Sequence, residues 1–273
     1  RQVQRNDAGR RVSRQQTGSV PATFARALDA LRADANPPSI AIAYSGGLDS
    51  SALLHLAHAY ARQHGIVLHA FHVHHGISGN ADAWLAHCEQ SCSAMGVQFS
   101  SRKVTLTKGK SGVEAAARKL RYAALGEMAQ EHGVKLMLTA HHLDDQAETV
   151  LLQLLRGSGP AGLSGMDAAN TAADLLGNAH LVVARPLLPV SRGDLERYVA
   201  EHGITYVEDE SNADARYARN ALRHKVMPAL ADAFPGFQER FARSAAHSQS
   251  AQRLLTEMAE QDLATILLDD SVD

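Results

Sequence analysis

The sequence predicts an α/β protein in which a doubly wound parallel sheet of the Rossmann type is followed by an α-helical segment. Short apolar runs alternate with helix-forming stretches between residues 39 and 207, as in strands joined by crossover helices. A glycine-rich turn follows the first apolar run, at the sheet edge where such folds bind ligands. From about Phe234 onward the pattern is helical, without another strand.

Changes in composition divide the chain into three parts. Residues 1–19 are rich in arginine and glutamine and predict a disordered basic arm. This arm could touch RNA, although an unstructured terminus is the simpler interpretation. Residues 20–230 carry the alternating pattern of the main domain. We interpret residues 231–273 as the start of a second, helical domain that is truncated here.

The overall composition is that of a globular protein. The chain has 273 residues, of which 45% are hydrophobic and 21% charged, with a formal net charge of −2. This balance gives no global attraction to nucleic acid, so any basic surface must be local. No apolar run approaches the ~20 residues of a membrane span. The only cysteines are Cys88 and Cys92, which indicates a reducing compartment, and we expect a cytoplasmic location.

Local patterns and helix breakers predict each element. A helix over residues 21–32 ends before the breakers Asn36, Pro37 and Pro38. Short apolar runs predict strands over residues 40–44, 66–73, 97–105, 135–140, 181–184 and 204–207. Longer stretches predict helices over residues 52–61, 80–95, 113–132, 150–155 and 191–202.

The glycine-rich turn predicts a phosphate site. Gly46 and Gly47 allow positive φ and close backbone approach, and the following helix start presents free N–H groups. Ser45, Ser50 and Ser51 can add hydroxyl donors. A Walker loop would carry a lysine here. This turn carries Asp49 instead, which suits a Mg²⁺ ion between carboxylate and phosphate. An ordinary strand-to-helix turn is the alternative.

A second polar cluster follows the fourth predicted strand. Asp145 comes from the same sheet edge as Asp49, so the two carboxylates could hold one Mg²⁺. Acidic residues also favour a helix start through the helix dipole, which is the alternative for Asp145. His141 could contact phosphate or act as an acid, while one of His141 and His142 packs inside.

Three further groups of residues need interpretation. Cys88 and Cys92 could bind zinc with the histidines at 72–75, but small buried side chains on a helix face are the better interpretation. We expect these cysteines to lie well away from the loop motifs. Arg219 and Arg223 are four residues apart, on one side of a helix. They form either a solvated face or an anion-binding face, on which an arginine could neutralise an α-phosphate.

Several strings together resemble the N-type ATP pyrophosphatases and, within that superfamily, the tRNA(Ile)-lysidine synthetase family. The resemblance extends from about residue 38 to residue 230. The strings that carry it are SGGLDS at 45–50, HVHHGIS at 72–78, EAAAR at 114–118, TAHHLDDQAET at 139–149, RGSG at 156–159, EDESN at 208–212, and Arg219 with Asn220. The resemblance implies an adenine nucleotide α-hydrolase-type fold with ATP and Mg²⁺ as cofactors.

The resemblance also implies a reaction. ATP adenylates C2 of the wobble cytidine in a CAU anticodon, releasing pyrophosphate, and the ε-amino group of free lysine then displaces AMP. The partners would be tRNA(Ile) and free lysine, without a membrane, and a homodimer is left open.

The implied roles fall on particular positions. The pyrophosphate and Mg²⁺ would be held by Ser45, Gly46, Gly47, Leu48, Asp49 and Ser50. Backbone near His72, Val73, Thr139 and Ala140 would frame adenine. The catalytic candidates are Asp49, His141, Asp145 and Arg219. Glu114 and Arg118 would shape the lysine or cytidine pocket. We infer that Glu208 and Asp209, in an acidic turn, receive the lysine ammonium, since a cation needs carboxylates.

Two other functions remain to be distinguished. Another ATP pyrophosphatase of this fold, such as a tRNA thiolase or an amide-forming synthetase, would need reactive cysteines at the site or an ammonia source. A non-catalytic nucleotide sensor should lack the second acidic motif, which this sequence has. Exchange of pyrophosphate into ATP separates an enzyme from a sensor.

Overall fold

A computed structural model describes residues 18–32, 37–74, 76, 79–105, 113–208 and 218–269. The elements, in chain order, are α1 (Val20–Arg32), β1 (Ser39–Ala43), α2 (Leu48–His64), β2 (Val67–His74), α3 (Ala81–Met95), β3 (Gln98–Lys103), α4 (Val113–Glu131), β4 (Leu136–Leu138), α5 (Leu143–Leu155), α6 (Pro160–Leu163), β5 (Ala169–Thr171), α7 (Ala173–Leu176), β6 (Val182–Ala184), α8 (Arg192–Glu201), α9 (Ala218–Ala221), a π-helical turn (Leu222–Val226), α10 (Met227–Ala233) and α11 (Phe237–Asp269). Most of the predicted basic arm, residues 107–112 and Asp209 lie outside the described residues.

The sheet confirms the predicted doubly wound α/β fold. Its strand order is β3-β2-β1-β4-β6-β5, and every pairing is parallel except that of β5 with β6. Hydrophobic side chains cover both faces, because alternate residues of a strand point to opposite sides. Ile40 and Ile42 belong to the core that also contains α1 and α2. Ala41 belongs to the core formed with α4 and α7.

Two strand predictions differ from the structure. The antiparallel edge strand β5 was not predicted, because Ala-Asn-Thr is short and half polar and lacks an apolar run. Residues 204–207 were predicted as a strand and are irregular. There, Val207 donates its N–H to the carbonyl of Gly46 (2.9 Å), so this segment braces the glycine turn instead of joining the sheet.

Helix α11 packs its first turns against the α/β domain. Phe237 is 2% exposed and packs with Ala147 of α5 and Met227 of α10. Further along, Gln249 Nε2 donates to the carbonyl of Ser164 (2.8 Å). The later turns expose large apolar side chains: Leu254, Leu255, Met258, Leu263 and Ile266. Among the described residues, no helix combines the length and apolar character that crossing a bilayer requires.

This packing predicts opposite results for two truncations in one helix. Phe237→Ala should lower the free energy of unfolding by about 3–5 kcal/mol, the usual cost of removing a buried aromatic ring. Leu254→Ala, at a side chain 58% exposed, should change it by less than about 0.5 kcal/mol. Urea unfolding of the chain measures both. A Phe237 variant as stable as the wild type would show that α11 does not belong to this core.

Candidate active site

The site lies where the strand order reverses. Strands β1 and β4 pair in parallel, with Ala41 opposite Met137, so their carboxyl ends lie side by side. In the sheet, β2 lies beside β1 on one side of this pair, and β6 lies beside β4 on the other. Such a reversal opens a crevice outside the sheet, where α/β proteins bind ligands. The glycine turn after β1 and the polar cluster after β4 therefore flank one crevice.

Serine hydroxyls hold the glycine turn. Ser50 Oγ donates to the Gly47 carbonyl (3.0 Å) and lies 3.0 Å from Ser45 Oγ. Ser51 Oγ donates to the Gly46 carbonyl (3.2 Å). Gly46 has φ of 85°, in the left-handed region that favours glycine. Because Gly47 precedes α2 and has no side chain, the N–H groups of the first helical turn remain accessible to an anion.

Cys88 lies directly behind this turn, which corrects the expectation that the cysteines are remote from it. A Cβ on Gly46 would lie 2.8 Å from Cys88 Sγ and 3.1 Å from Val207 Cγ2. Burial raises the pKa of Cys88 and of Cys92 to about 12, so both thiols are protonated at neutral pH. The argument against thiol chemistry by this pair therefore rests on burial and not on distance.

The tight fit at Gly46 gives a paired prediction. Gly46→Ala should weaken ATP binding at least about tenfold, because its methyl group meets Cys88 and Val207 and its φ is strained. Gly65→Ala is the matched control, since Gly65 also has positive φ (65°) but a Cβ there meets nothing within 4 Å. It should cost only about 1–2 kcal/mol of stability and no ATP affinity. Calorimetric titration with ATP compares the two, and equal affinities would contradict this account.

Three carboxylates surround the buried ring of His142. Its Nε2 lies 3.4 Å from Asp145 Oδ2 and 3.7 Å from Asp49 Oδ2, and its Nδ1 lies 3.8 Å from Asp144 Oδ2. The Asp145 N–H donates to Nδ1 (3.4 Å), and His142 N–H donates back to Asp145 Oδ2 (3.1 Å), which caps α5. Asp49 and Asp145 are thus brought together as predicted.

Electrostatics favour the ionised carboxylate at Asp145. Burial alone would raise its pKa, but His142, His141, Arg219 and Arg223 together hold that pKa below its usual value. Burial likewise opposes the charged form of His142, but the nearby carboxylates of Asp49, Asp145 and Asp144 raise its pKa above the usual value. The charges of this cluster are therefore mutually dependent.

The donor set fits Mg²⁺. Asp49 and Asp145 supply two carboxylates, and Asp49 Oδ1 is buried without a hydrogen-bond partner. Mg²⁺ is usually held by one or two carboxylates together with phosphate oxygens and water. In the described part of the chain, no group of three or more His, Cys, Asp or Glu is arranged to hold a metal ion.

His141 is a neutral imidazole in this site. Its Nδ1 lies 2.9 Å from Thr139 Oγ1. Burial, together with the positive charges of Arg185, Arg219 and Arg118, lowers the pKa of His141 to about 4 against the opposing effect of Asp145. A group that has already lost its proton is a poor acid at neutral pH. The structure therefore favours hydrogen bonding to a ligand over the acid role for His141.

A buried carboxylate links the predicted arginines to Asp145. Glu148 accepts from Arg219 Nε (2.9 Å) and from Arg223 Nε (2.7 Å), and Arg223 Nη2 also donates to Asp145 Oδ1 (3.0 Å). Asp145 and Glu148 are three residues apart on α5 and share a face. The guanidinium of Arg219 lies against this face of α5. Arg219 shortly precedes the π-helical turn, and such turns are often found at functional sites. These arginines therefore face the acidic cluster and are not a solvated surface.

Sequence reasoning missed several of these residues. Glu148 was named only within a motif string and was given no role. Its position three residues after Asp145 could have placed it on the same face of the helix. Arg192 was not considered: its N–H donates to Asp144 Oδ2 (2.8 Å) and its Nη1 lies 3.5 Å from Asp49 Oδ2. Nothing in the local sequence signals that contact, because it depends on where α8 begins relative to α2.

Glu148 should matter for stability. Glu148→Gln leaves two arginines without their common counterion and should destabilise the fold by about 2–3 kcal/mol, less than a fully buried pair because Arg219 is 38% exposed. Glu196→Gln, in an exposed pair with Arg192, should cost less than about 1 kcal/mol. Thermal unfolding of the two variants tests the difference. Equal melting temperatures would mean that the buried cluster is not a structural unit.

The remaining predicted residues lie in different places. His72 and Val73 lie near the end of β2, and His72 Nδ1 contacts the Tyr44 carbonyl at 2.9 Å, beside the glycine turn. Thr139 and Ala140 follow β4. Four residues were candidates for binding lysine or cytidine, and one of them, Asp209, lies outside the described residues. Arg118 of α4 acts electrostatically on His141, Glu208 is exposed, and the side chain of Glu114 lies outside the described residues.

The fold and this crevice define a nucleotide-binding domain of the PP-loop class. Residues 21–230 match the PP-loop domain family, so the chain belongs to that family, whose domain binds ATP. Its curated relatives include tRNA(Ile)-lysidine synthases. This chain is 50% identical to the tRNA(Ile)-lysidine synthase of Burkholderia mallei over 238 residues, which are 87% of this chain and 47% of the relative. It is 48% identical to that of Ralstonia nicotianae over 232 residues, 84% of this chain and 48% of the relative.

A solved structure confirms the fold independently. A U34-tRNA thiolase from Methanococcus maripaludis superposes with a TM-score of 0.67 at 17% identity, covering 83% of this chain and 78% of the thiolase. At that identity the similarity concerns the fold alone. The chain spans about half the length of the curated relatives it matches.

Proposed function

We propose that this protein is a tRNA(Ile)-lysidine synthase, which adenylates C2 of the wobble cytidine in a CAU anticodon and then joins free lysine to it. One observation carries the proposal: Asp49 and Asp145, from two strand ends, meet beside the glycine turn, with both carboxylates within 4 Å of His142 Nε2. Such a site suits the triphosphate of ATP. The 50% identity to a tRNA(Ile)-lysidine synthase supports this choice of reaction within the family.

The glycine turn would bind the two phosphates that leave as pyrophosphate. Its backbone N–H groups and the hydroxyls of Ser45 and Ser50 are the donors, with Gly46, Gly47 and Leu48 supplying backbone. Asp49 and Asp145 would hold Mg²⁺, which when bound neutralises phosphate charge. The base of ATP would be framed by backbone at His72, Val73, Thr139 and Ala140.

The two chemical steps place different demands on the residues. In the first, the C2 oxygen of cytidine attacks the α-phosphorus and the bond to the bridging oxygen breaks. Arg219, held by Glu148, is suited to stabilise charge on that phosphate, and His141 to hydrogen-bond it. In the second, the lysine amine attacks C2 and AMP leaves. Glu208 and Asp209 remain candidates to attract the lysine ammonium, with Glu114 and Arg118 shaping the pocket.

The proposed reaction implies partners and a location. Its substrates are tRNA(Ile) with a CAU anticodon and free lysine, and it takes place in the cytoplasm, where tRNA and ATP are found. Whether two copies associate is decided by light scattering of the purified protein.

The first experiment measures lysine incorporated into CAU-anticodon tRNA and AMP released by the longest available form of the protein. Asp49→Asn and Asp145→Asn should each reduce both products at least about 100-fold, because each removes a ligand of the phosphate-bound cation. Asp262→Asn, at an exposed position of α11, should leave both unchanged.

The other results point to other functions. AMP release without lysine incorporation would keep the ATP pyrophosphatase reaction and indicate another acceptor, as in a thiolase or an amide-forming synthetase. Absence of both AMP release and pyrophosphate exchange into ATP would contradict the proposal and favour a nucleotide sensor.

A further inference from the structure

Arg185 is anchored at one edge of its guanidinium, and the other edge makes no hydrogen bond to any residue that the structure describes. It follows β6 directly, and its backbone N–H donates to the Ala168 carbonyl (2.8 Å). Nη1 donates to the Asp167 carbonyl (2.9 Å) and to Asn170 Oδ1 (2.7 Å). Nε is buried without a hydrogen-bond partner, and Nη2 makes no hydrogen bond to a described residue. The Nε and Nη2 edge is the fork that binds two oxygens of a carboxylate or phosphate.

The positive charge of Arg185 has no direct counterion. Among the described residues, no carboxylate oxygen lies within 4 Å of its guanidinium, although Asp167 is near enough to favour the charged form. Arg118 is also close, and like Arg185 it lacks an ion pair within the described part of the chain. Its guanidinium lies 4.8 Å from the Tyr122 ring and donates to the Tyr122 hydroxyl (3.4 Å). Two neighbouring guanidiniums of this kind form an attractive site for an anion.

Arg185 lies on the side of His141 that is away from the glycine turn. Strand β4 separates β1 from β6, and Thr139 donates its N–H to the Ala184 carbonyl (2.9 Å), immediately before Arg185. Both Arg185 and Arg118 act electrostatically on His141. In the strand order β1-β4-β6, Arg185 follows the strand that is two places from β1 and its glycine turn. If the glycine turn binds the phosphates of ATP, as proposed above, Arg185 lies on the side of the crevice left for the molecule that attacks or accepts the adenylate.

We propose that Arg185 and Arg118 form an oxyanion-binding pair for the acceptor side of the reaction. The identity of the bound anion rests on the proposed function. The substrates of that reaction carry two candidate oxyanions: the α-carboxylate of free lysine and a phosphodiester of the tRNA next to the modified cytidine. Either anion would bind at the Nε and Nη2 edge of Arg185, whose Nε has no hydrogen-bond partner. Asn170 and Asp167 set the direction of that fork, so β5 has a positioning role.

The test is steady-state kinetics with Arg185→Gln in the longest available form of the protein. The KM of one acceptor should rise about 10- to 100-fold, as expected for loss of a charge-assisted hydrogen bond, while the KM of ATP stays within about twofold. Arg185→Lys, which keeps the charge but not the fork, should give an intermediate KM. Arg197→Gln, at an arginine with a side chain 69% exposed on α8, is the matched control and should behave as the wild type.

The two sources of the anion are separated by substrate and by salt. If the anion is the carboxylate, the KM of lysine rises in Arg185→Gln, and lysinamide becomes as poor a substrate for the wild type as lysine is for the variant. If the anion is the phosphodiester, the KM of tRNA rises in Arg185→Gln. The KM of tRNA then also depends less steeply on salt concentration, by about one released counterion.

Two results would overturn the proposal. One is an Arg185→Gln protein whose acceptor KM values match those of Arg197→Gln. The other is an Arg185→Gln protein in which the KM of ATP rises as much as the KM of the acceptor, since the cause would then be a general disturbance of the site and not the missing guanidinium. A wild type that labels no tRNA would contradict the proposed function instead, so the two failures are distinguishable.

Discussion

Negative charge is concentrated where β1 and β4 end, and the rest of the site depends on how that charge is balanced. Asp49, Asp144 and Asp145 each have an oxygen within 4 Å of the His142 ring. Carboxylates so close repel one another strongly in a partly dehydrated crevice. The imidazole and Arg223 oppose this repulsion within the protein. A divalent cation carrying phosphates suits the same position, which explains why a nucleotide enzyme would tolerate such a cluster.

The C-terminal helices belong to this balance. Glu148 is nearly fully buried on α5 and fixes Arg219 and Arg223, which are more than seventy residues away in sequence. The π-helical turn connects α9 to α10. Helix α11 then packs against α5 through Phe237. Helix α5 therefore contributes Asp145 to the crevice, Glu148 to the arginines and Ala147 to the hydrophobic contact. A change that moves α5 alters all three together.

Local patterns made much of this predictable. The glycine turn and the acidic cluster each follow a buried strand, and parallel strands must end at one edge, so the meeting of Asp49 and Asp145 follows from sequence. The sequence does not show which of His141 and His142 is buried, because both lie at the same strand-to-helix junction. Only the packing of α5 decides this. Residues 204–207 are β-branched enough to predict a strand, but the edge next to β6 is taken by β5. The contact of Cys88 with Gly46 depends on how α3 lies across the sheet, which periodicity does not encode.

The central claim is that Asp49 and Asp145 hold one cation on the nucleotide. A double-mutant cycle on Mn²⁺ binding, followed by electron paramagnetic resonance in the presence of ATP, tests it directly. If the two carboxylates share one ion, Asp49→Asn and Asp145→Asn each weaken Mn²⁺ affinity strongly, and the double variant is little worse than either single variant. Losses that simply add, or a variant that retains wild-type Mn²⁺ affinity, would contradict a shared ion.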